Sequence, residues 1–138
     1  MKEELMRLLR PVTTEEREIL KGNVQIQKQI YTDKEDFTIV SEKMLAGGRR
    51  MDIRVHTRFV EFPKHKHDYI EIIYMCSGKT AHWINEDTRI VLGEGELLFL
   101  NQHAFHAIDA AGENDIAINF MILPEFFDVA FSMLKGES

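Results

Sequence analysis

Four side chains carry the chemistry that this sequence can do. His65 and His67 stand two apart, so on an extended strand both imidazoles project to one side. Glu71 keeps that parity, and His106 follows 28 residues after Gly78, just beyond the run Leu97-Leu98-Phe99-Leu100. Three histidines and a carboxylate form a ligand set for a divalent transition metal such as Zn, Ni, Fe or Mn. Geometry sets a condition on that set. Four residues of straight strand hold His67 and Glu71 about 13 Å apart, so Glu71 can join only if the chain bends near Asp68-Tyr69.

The rest of the chain must hold these groups in place. Its 138 residues, 44% of them hydrophobic, are enough for one domain with a buried core. The net charge of −6 argues against a nucleic-acid-binding face. Cys76 is the one cysteine, so no internal disulfide forms, and a reducing, cytoplasmic setting is expected. No apolar run approaches the ~20 residues of a membrane span, and the first residues lack signal-peptide order.

Residues 1–22 read as a helical segment. An amphipathic helix over 2–10 ends at Pro11, and Thr13 with Glu16 forms a capping box that opens a second helix, closed by Gly22. Five basic and five acidic residues in 1–21 give no excess charge for phosphates, so the pair is a packing appendage rather than a DNA reader.

Residues 23–138 read as β-rich. Val24–Ile30 and Phe37–Val40 are short strand-like runs, and residues 53–60 alternate with period two. After the His pair come 70–76, Thr80–Ile84, Thr88–Leu92, Glu96–Leu100 and Asp115–Ile122, separated by turn residues. Such spacing indicates an antiparallel sandwich or barrel. A helix from Pro124 onward is apolar nearly all round. It is expected to pack on its own domain, with a remaining face free to pair with a second subunit.

His65-x-His67-x3-Glu71-x6-Gly78, with Gly95, Asn101 and His106 downstream, resembles the two motifs of the cupin superfamily. Asn101 stands where the family has proline, His103 where it has glycine, and Phe59 where a glycine precedes the first histidine. Phe62-Pro63-x-His65-x-His67-Asp68-Tyr69-x-Glu71-Ile72, then Gly95-Glu96-Leu97-Leu98-Phe99-Leu100-Asn101 and His106-Ala107-Ile108, is similar to the effector-binding domain of AraC-type transcriptional regulators. The resemblance spans about residues 37–123. It implies a mainly β, cupin-like double-stranded β-helix (a jelly-roll barrel) with short N-terminal helices and a C-terminal helix. It further implies a small-molecule effector, a homodimer, and DNA contact only through a C-terminal helix-turn-helix domain missing from this chain. By the same resemblance the chain is expected to be a fragment of a longer, non-enzymatic regulator. The alternative is a stand-alone metal-dependent cupin enzyme, an isomerase or dioxygenase.

The candidate effector-binding residues are His65, His67, Tyr69, His106, Arg58 and Trp83, and the candidate metal ligands are His65, His67, Glu71 and His106. Arg58, with Arg54 and His56, lies on one strand face, either solvated or a cationic wall for an acidic or hydroxylated effector. Tyr69 and Trp83 can each stack on a sugar ring or fill core. His82 points either into the barrel or out from a hairpin, whereas His103 belongs on the rim. Tyr74 and Cys76 share the parity of Ile70 and Ile72 and are expected in the core. No cationic neighbour activates Cys76 as a nucleophile.

Overall fold

The computed structural model describes residues 2–45 and 47–136. Among these described residues, nine strands form two sheets that face each other. They are β1 (Thr38–Ile39), β2 (Met51–Val55), β3 (Phe62–His67), β4 (Ile70–Ser77), β5 (Lys79–Ile84), β6 (Thr88–Gly93), β7 (Leu97–Leu100), β8 (His106–Ile108) and β9 (Ile116–Ile122). One sheet has the order β1-β3-β8-β5-β6 and the other β2-β9-β4-β7. Consecutive strands repeatedly cross from one sheet to the other, which is the cupin-like double-stranded β-helix that the motifs imply.

Period-two patterning decides which side chains enter the barrel. In β4, Glu71, Ile73 and Met75 are buried between the sheets, while Ile70, Ile72 and Tyr74 face outward. Tyr74 is 37% exposed, contrary to its expected place in the core. The parity was right but the face was not, because the histidine parity is the inward one. Cys76 is buried for a separate reason. It packs outside the barrel with Met6, Ile116 and Ile118, beneath helix α1 (Lys2–Leu9). Inside, Tyr31, Ile39, Phe62, Tyr69, Ile108 and Met121 cluster together, and Ile73, Met75, Leu92, Leu100 and Ala117 form a second cluster.

Helix α2 (Thr14–Leu20) starts as its sequence signals. Thr13 Oγ1 accepts from the Glu16 backbone N–H and Glu16 Oε1 accepts from that of Thr13, the reciprocal capping box. Two segments read as strands are not. Residues 24–30 form loop and a 3₁₀ turn over Lys28–Ile30, since neither sheet offers them a partner strand. The run over 53–60 stops at Val55. Beyond it the Arg58 N–H bonds to Glu16 Oε2 rather than to a strand, and Phe59 turns the chain at φ 76°. Phe59 occupies the position where the motif has glycine, and its left-handed backbone shows why glycine suits that place. Gly78 is more strictly required. Its φ is +69°, and a Cβ there would collide with Asp115 Oδ1 and lie 2.8 Å from the Asn114 carbonyl oxygen.

After Ser41–Met44 (α3), the last helix is α4, Pro124–Leu134. None of its residues is buried, and Phe126, Val129, Phe131, Met133 and Leu134 are exposed. It therefore buries no side chain fully against its own domain. The outer face of the four-stranded sheet is apolar too. Ile53, Phe120, Ile72 and Phe99 stand in register across all four strands, and Val55, Ile118, Tyr74 and Leu97 form the next row.

Candidate ligand and metal site in the barrel

The bend that Glu71 requires is a change of sheet. β3 ends at His67 in one sheet and β4 begins at Ile70 in the other, so Asp68-Tyr69 carries the chain across the barrel. The turn is pinned where Asp68 Oδ1 accepts from the Ser41 N–H and the Asp68 N–H bonds to the Ile39 carbonyl. Glu71 therefore faces His67 across the interior, with Oε2 at 3.0 Å from Nε2. Straight-strand spacing does not apply to residues on two opposed sheets.

The histidines come from three adjacent strands. His65 pairs with His106 across β3 and β8, next to a bulge at Pro63, and His106 pairs with Ile84 across β8 and β5. The His65 and His106 rings are 4.2 Å apart, and His82, now seen to point inward, stacks at 6.2 Å from His106. His56, His65, His67, His82 and His106 are each at most 4% exposed.

One nitrogen of His67 is spoken for. Its Nδ1–H donates to the Tyr69 carbonyl at 2.7 Å, which leaves Nε2 as the free atom facing Glu71. His65 is fixed likewise through the Pro63 carbonyl at 2.7 Å. Among the described residues neither nitrogen of His106 has a hydrogen-bond partner, and His67 Nε2 faces only the Glu71 carboxylate. Buried polar atoms left without partners are costly, so these orphans mark a place built for something else. Ligand atoms of His67, Glu71 and His106 all lie within 4.8 Å of one another. Two imidazoles and a carboxylate, one imidazole oriented by a backbone carbonyl, fit a divalent transition ion. His65 stands beside this triad rather than within it.

Electrostatics separate the histidines. Burial lowers His56, His65 and His82 to about 4 and His106 well below its usual range, so all four are neutral at pH 7. Burial would lower His67 too, but the Glu71 carboxylate outweighs it and raises His67. The same contact, with the other histidines, overcomes burial to hold Glu71 down at about 2.

Beside this cluster lies a cavity of about 20 Å³, measured at the centre of a water molecule, enough for one water. His65, Tyr69 and Glu71 line it, with Arg54, His56, Tyr31 and Asn119. Tyr69 is 2% exposed and stacks on His67 at 4.7 Å. Two expected effector contacts lie elsewhere. Arg58 is fully buried away from the cavity. Its Nε and Nη2 clasp both oxygens of Glu16 at 2.9 Å, and it also donates to the carbonyls of Glu113, Arg10 and Pro11. Trp83 is 37% exposed on the outer face, where its Nε1–H donates to Asp109 and Arg89 covers its ring. His103 is exposed in a turn, as expected of a rim residue. Sequence reading missed the cavity residues Asn119, Tyr31 and Thr57, and Glu15, which bonds to the last two. Asn119 alone left a sign, as the only polar residue between Ile116 and Ile122.

A β-barrel whose inner face carries unpartnered polar groups beside a cavity defines a class of ligand-binding domains. Residues 53–129 match the family model of the AraC-like ligand binding domain, and the chain belongs to that family. No curated protein matches. Among solved structures, KdgF from a Halomonas species is similar at 16% identity and TM-score 0.43, over 53% of this chain and 78% of that one. A cupin-2 domain protein from Shewanella frigidimarina is similar at 23% identity and TM-score 0.44, over 54% and 74%. The DMSP lyase DddQ from Ruegeria pomeroyi is similar at 18% identity and TM-score 0.45, over 54% and 38%.

Proposed function

We propose that this chain is the effector-sensing and dimerisation domain of an AraC-type transcription regulator, working in the cytoplasm without catalytic turnover. The observation that carries the sensing role is the barrel interior. His56 Nε2 and Asn119 Oδ1 are buried without hydrogen-bond partners and line the cavity, as a polar ligand would require. A small molecule that fits one arrangement of the barrel mouth better than another shifts the population read by a tethered DNA-binding domain, which lies outside these residues. The acidic balance of the chain agrees with DNA contact residing elsewhere.

Dimerisation is supported by two apolar surfaces that the chain leaves exposed, the α4 helix and the sheet positions Ile53, Tyr74, Leu97 and Phe99. The occupant they fit is a second copy, because an isologous contact covers the same surface on both protomers at once. Among the described residues no helix is long and apolar enough to cross a membrane.

His67, Glu71 and His106 would hold Zn, Ni, Fe or Mn, which supplies a positive centre for a ligand oxygen. A metal-dependent isomerase or dioxygenase would use the same three residues, and the test must separate the two readings. Thermal unfolding is recorded against a panel of sugars, hydroxy acids and amino acids, with and without each metal, and bound compounds are recovered for analysis. A stabilising compound recovered unchanged supports sensing. Conversion of the bound compound would make the chain an enzyme.

A further inference from the structure

Three residues of the cavity wall already hold a carboxylate, and it is the chain's own. Glu15, on α2, receives three donors. Arg54 Nη2 reaches Oε1 at 3.0 Å, the Thr57 hydroxyl reaches Oε1 at 2.7 Å, and the Tyr31 hydroxyl reaches Oε2 at 2.6 Å. Arg54 is itself braced, since Nη2 also donates to the Tyr31 oxygen at 2.8 Å and its guanidinium lies 4.7 Å from the Tyr31 ring centre. A guanidinium with two hydroxyls around one carboxylate is a complete acid receptor.

Three observations say that this receptor is meant for exchange. Arg54 and Tyr31 line the cavity, so the receptor opens on the space where His56 Nε2 and Asn119 Oδ1 lack partners. That space holds only a single water, so a larger ligand needs its wall groups to move, and three of them, Arg54, Tyr31 and Thr57, are held by Glu15. Glu15 and Arg54 are also solvent-edge groups, at 15% and 27% side-chain exposure, so their parting costs far less than parting a buried pair. Next to Glu15, the Glu16–Arg58 pair is 0% exposed and ties α2 to the barrel. Glu15 can therefore swing outward while its helix stays.

We propose that the effector is a small hydroxylated carboxylic acid, bound with its carboxylate on Arg54, Tyr31 and Thr57 in place of Glu15. Its hydroxyl groups reach His56 Nε2 and Asn119 Oδ1, which have no other partner. Glu15 thus acts as a tethered competitor that keeps the empty barrel closed and sets a threshold for the acid. The proposal rests on the ligand-binding reading above and narrows it to one ligand class.

Emptying the receptor tests it. Glu15→Ala and Glu15→Gln are titrated with glycolate and with gluconate, each against its uncharged counterpart, ethylene glycol or sorbitol. Binding is read by ligand-observed NMR, and circular dichroism checks the fold. The two Glu15 variants should bind the acids at least tenfold more tightly than wild type and tenfold more tightly than the matched polyols. Adding Arg54→Met to Glu15→Gln should abolish that preference. Equal binding of acid and polyol in the folded Glu15 variants overturns the acid class while leaving the barrel a ligand-binding site. Acid binding that survives Arg54→Met also overturns it. Absence of binding by all four compounds overturns it too, and the wider panel then decides whether the barrel binds anything.

Discussion

Arg58→Met tests whether the buried arginine is a structural clamp or an effector contact. The substitution keeps an unbranched stem of similar length but removes a guanidinium that makes five hydrogen bonds, two of them to Glu16. Glu16 remains inside, keeping the N–H donors of Thr13 and Arg58 as partners but not its counter-charge. Removing one member of a buried ion pair costs about 3–5 kcal/mol. For a domain of this size that is a fall in Tm of roughly 10–20 °C. Opening can be confined to residues 1–22, because Arg58 joins that segment to the barrel, so trypsin cleavage at Arg7 and Arg17 is followed alongside urea unfolding. Glu16→Leu combined with Arg58→Met, which removes both charges, should recover much of the loss. A loss below about 1 kcal/mol with no added cleavage would refute the clamp. Compounds that bind the barrel should bind the folded Arg58→Met protein as before.

Acid should destabilise the metal-free domain. His56, His65 and His82 titrate at about 4 when folded, whereas an unfolded histidine titrates near 6.5, so the unfolded chain takes up protons first. Their contribution is full above pH 6.5 and lost as pH falls toward 4, at about 2 kcal/mol each between pH 7 and 5. His67 has the opposite sign, since its raised folded value gives stability below pH 6.5 that is lost as pH rises. The net expectation is a urea midpoint that falls steadily from pH 7 to 5, and an unchanged midpoint contradicts the neutral buried histidines. Gly78→Ala meets both a positive φ and the Asn114 carbonyl, and should cost about 2–4 kcal/mol in urea unfolding. For the metal, elemental analysis after dialysis into Zn, Ni, Fe or Mn should find about one ion per chain, lost in His106→Ala, with His65→Ala affected less.

What the sequence reveals here follows the range of each signal. The His-x-His spacing, the strand parity of Glu71 and the capping box at Thr13–Glu16 are local, and the structure contains all three. The joining of His67 to Glu71 is not local, because it depends on Asp68-Tyr69 crossing between sheets. Arg58 misleads for a related reason. Its partner is 42 residues earlier, and charge in a strand-like run reads equally as a ligand wall or an ion pair until the fold brings Glu16 to it. The Glu15 receptor draws four residues from three segments, and nothing at any one of them marks it. Periodicity fails at 53–60 because the chain leaves the sheet at Val55, where tertiary contacts override the alternating pattern.

The central claim is that a small molecule binds inside the barrel. Its most direct measurement is a ¹H–¹⁵N spectrum of the whole chain, arginine and histidine side chains included, titrated with the compound that gives the largest thermal shift. Perturbations concentrated on Arg54, His56 and Asn119, with the compound left unaltered, are the expected result. Shifts confined to α4 or to the outer sheet face, with the cavity resonances unmoved, would contradict it.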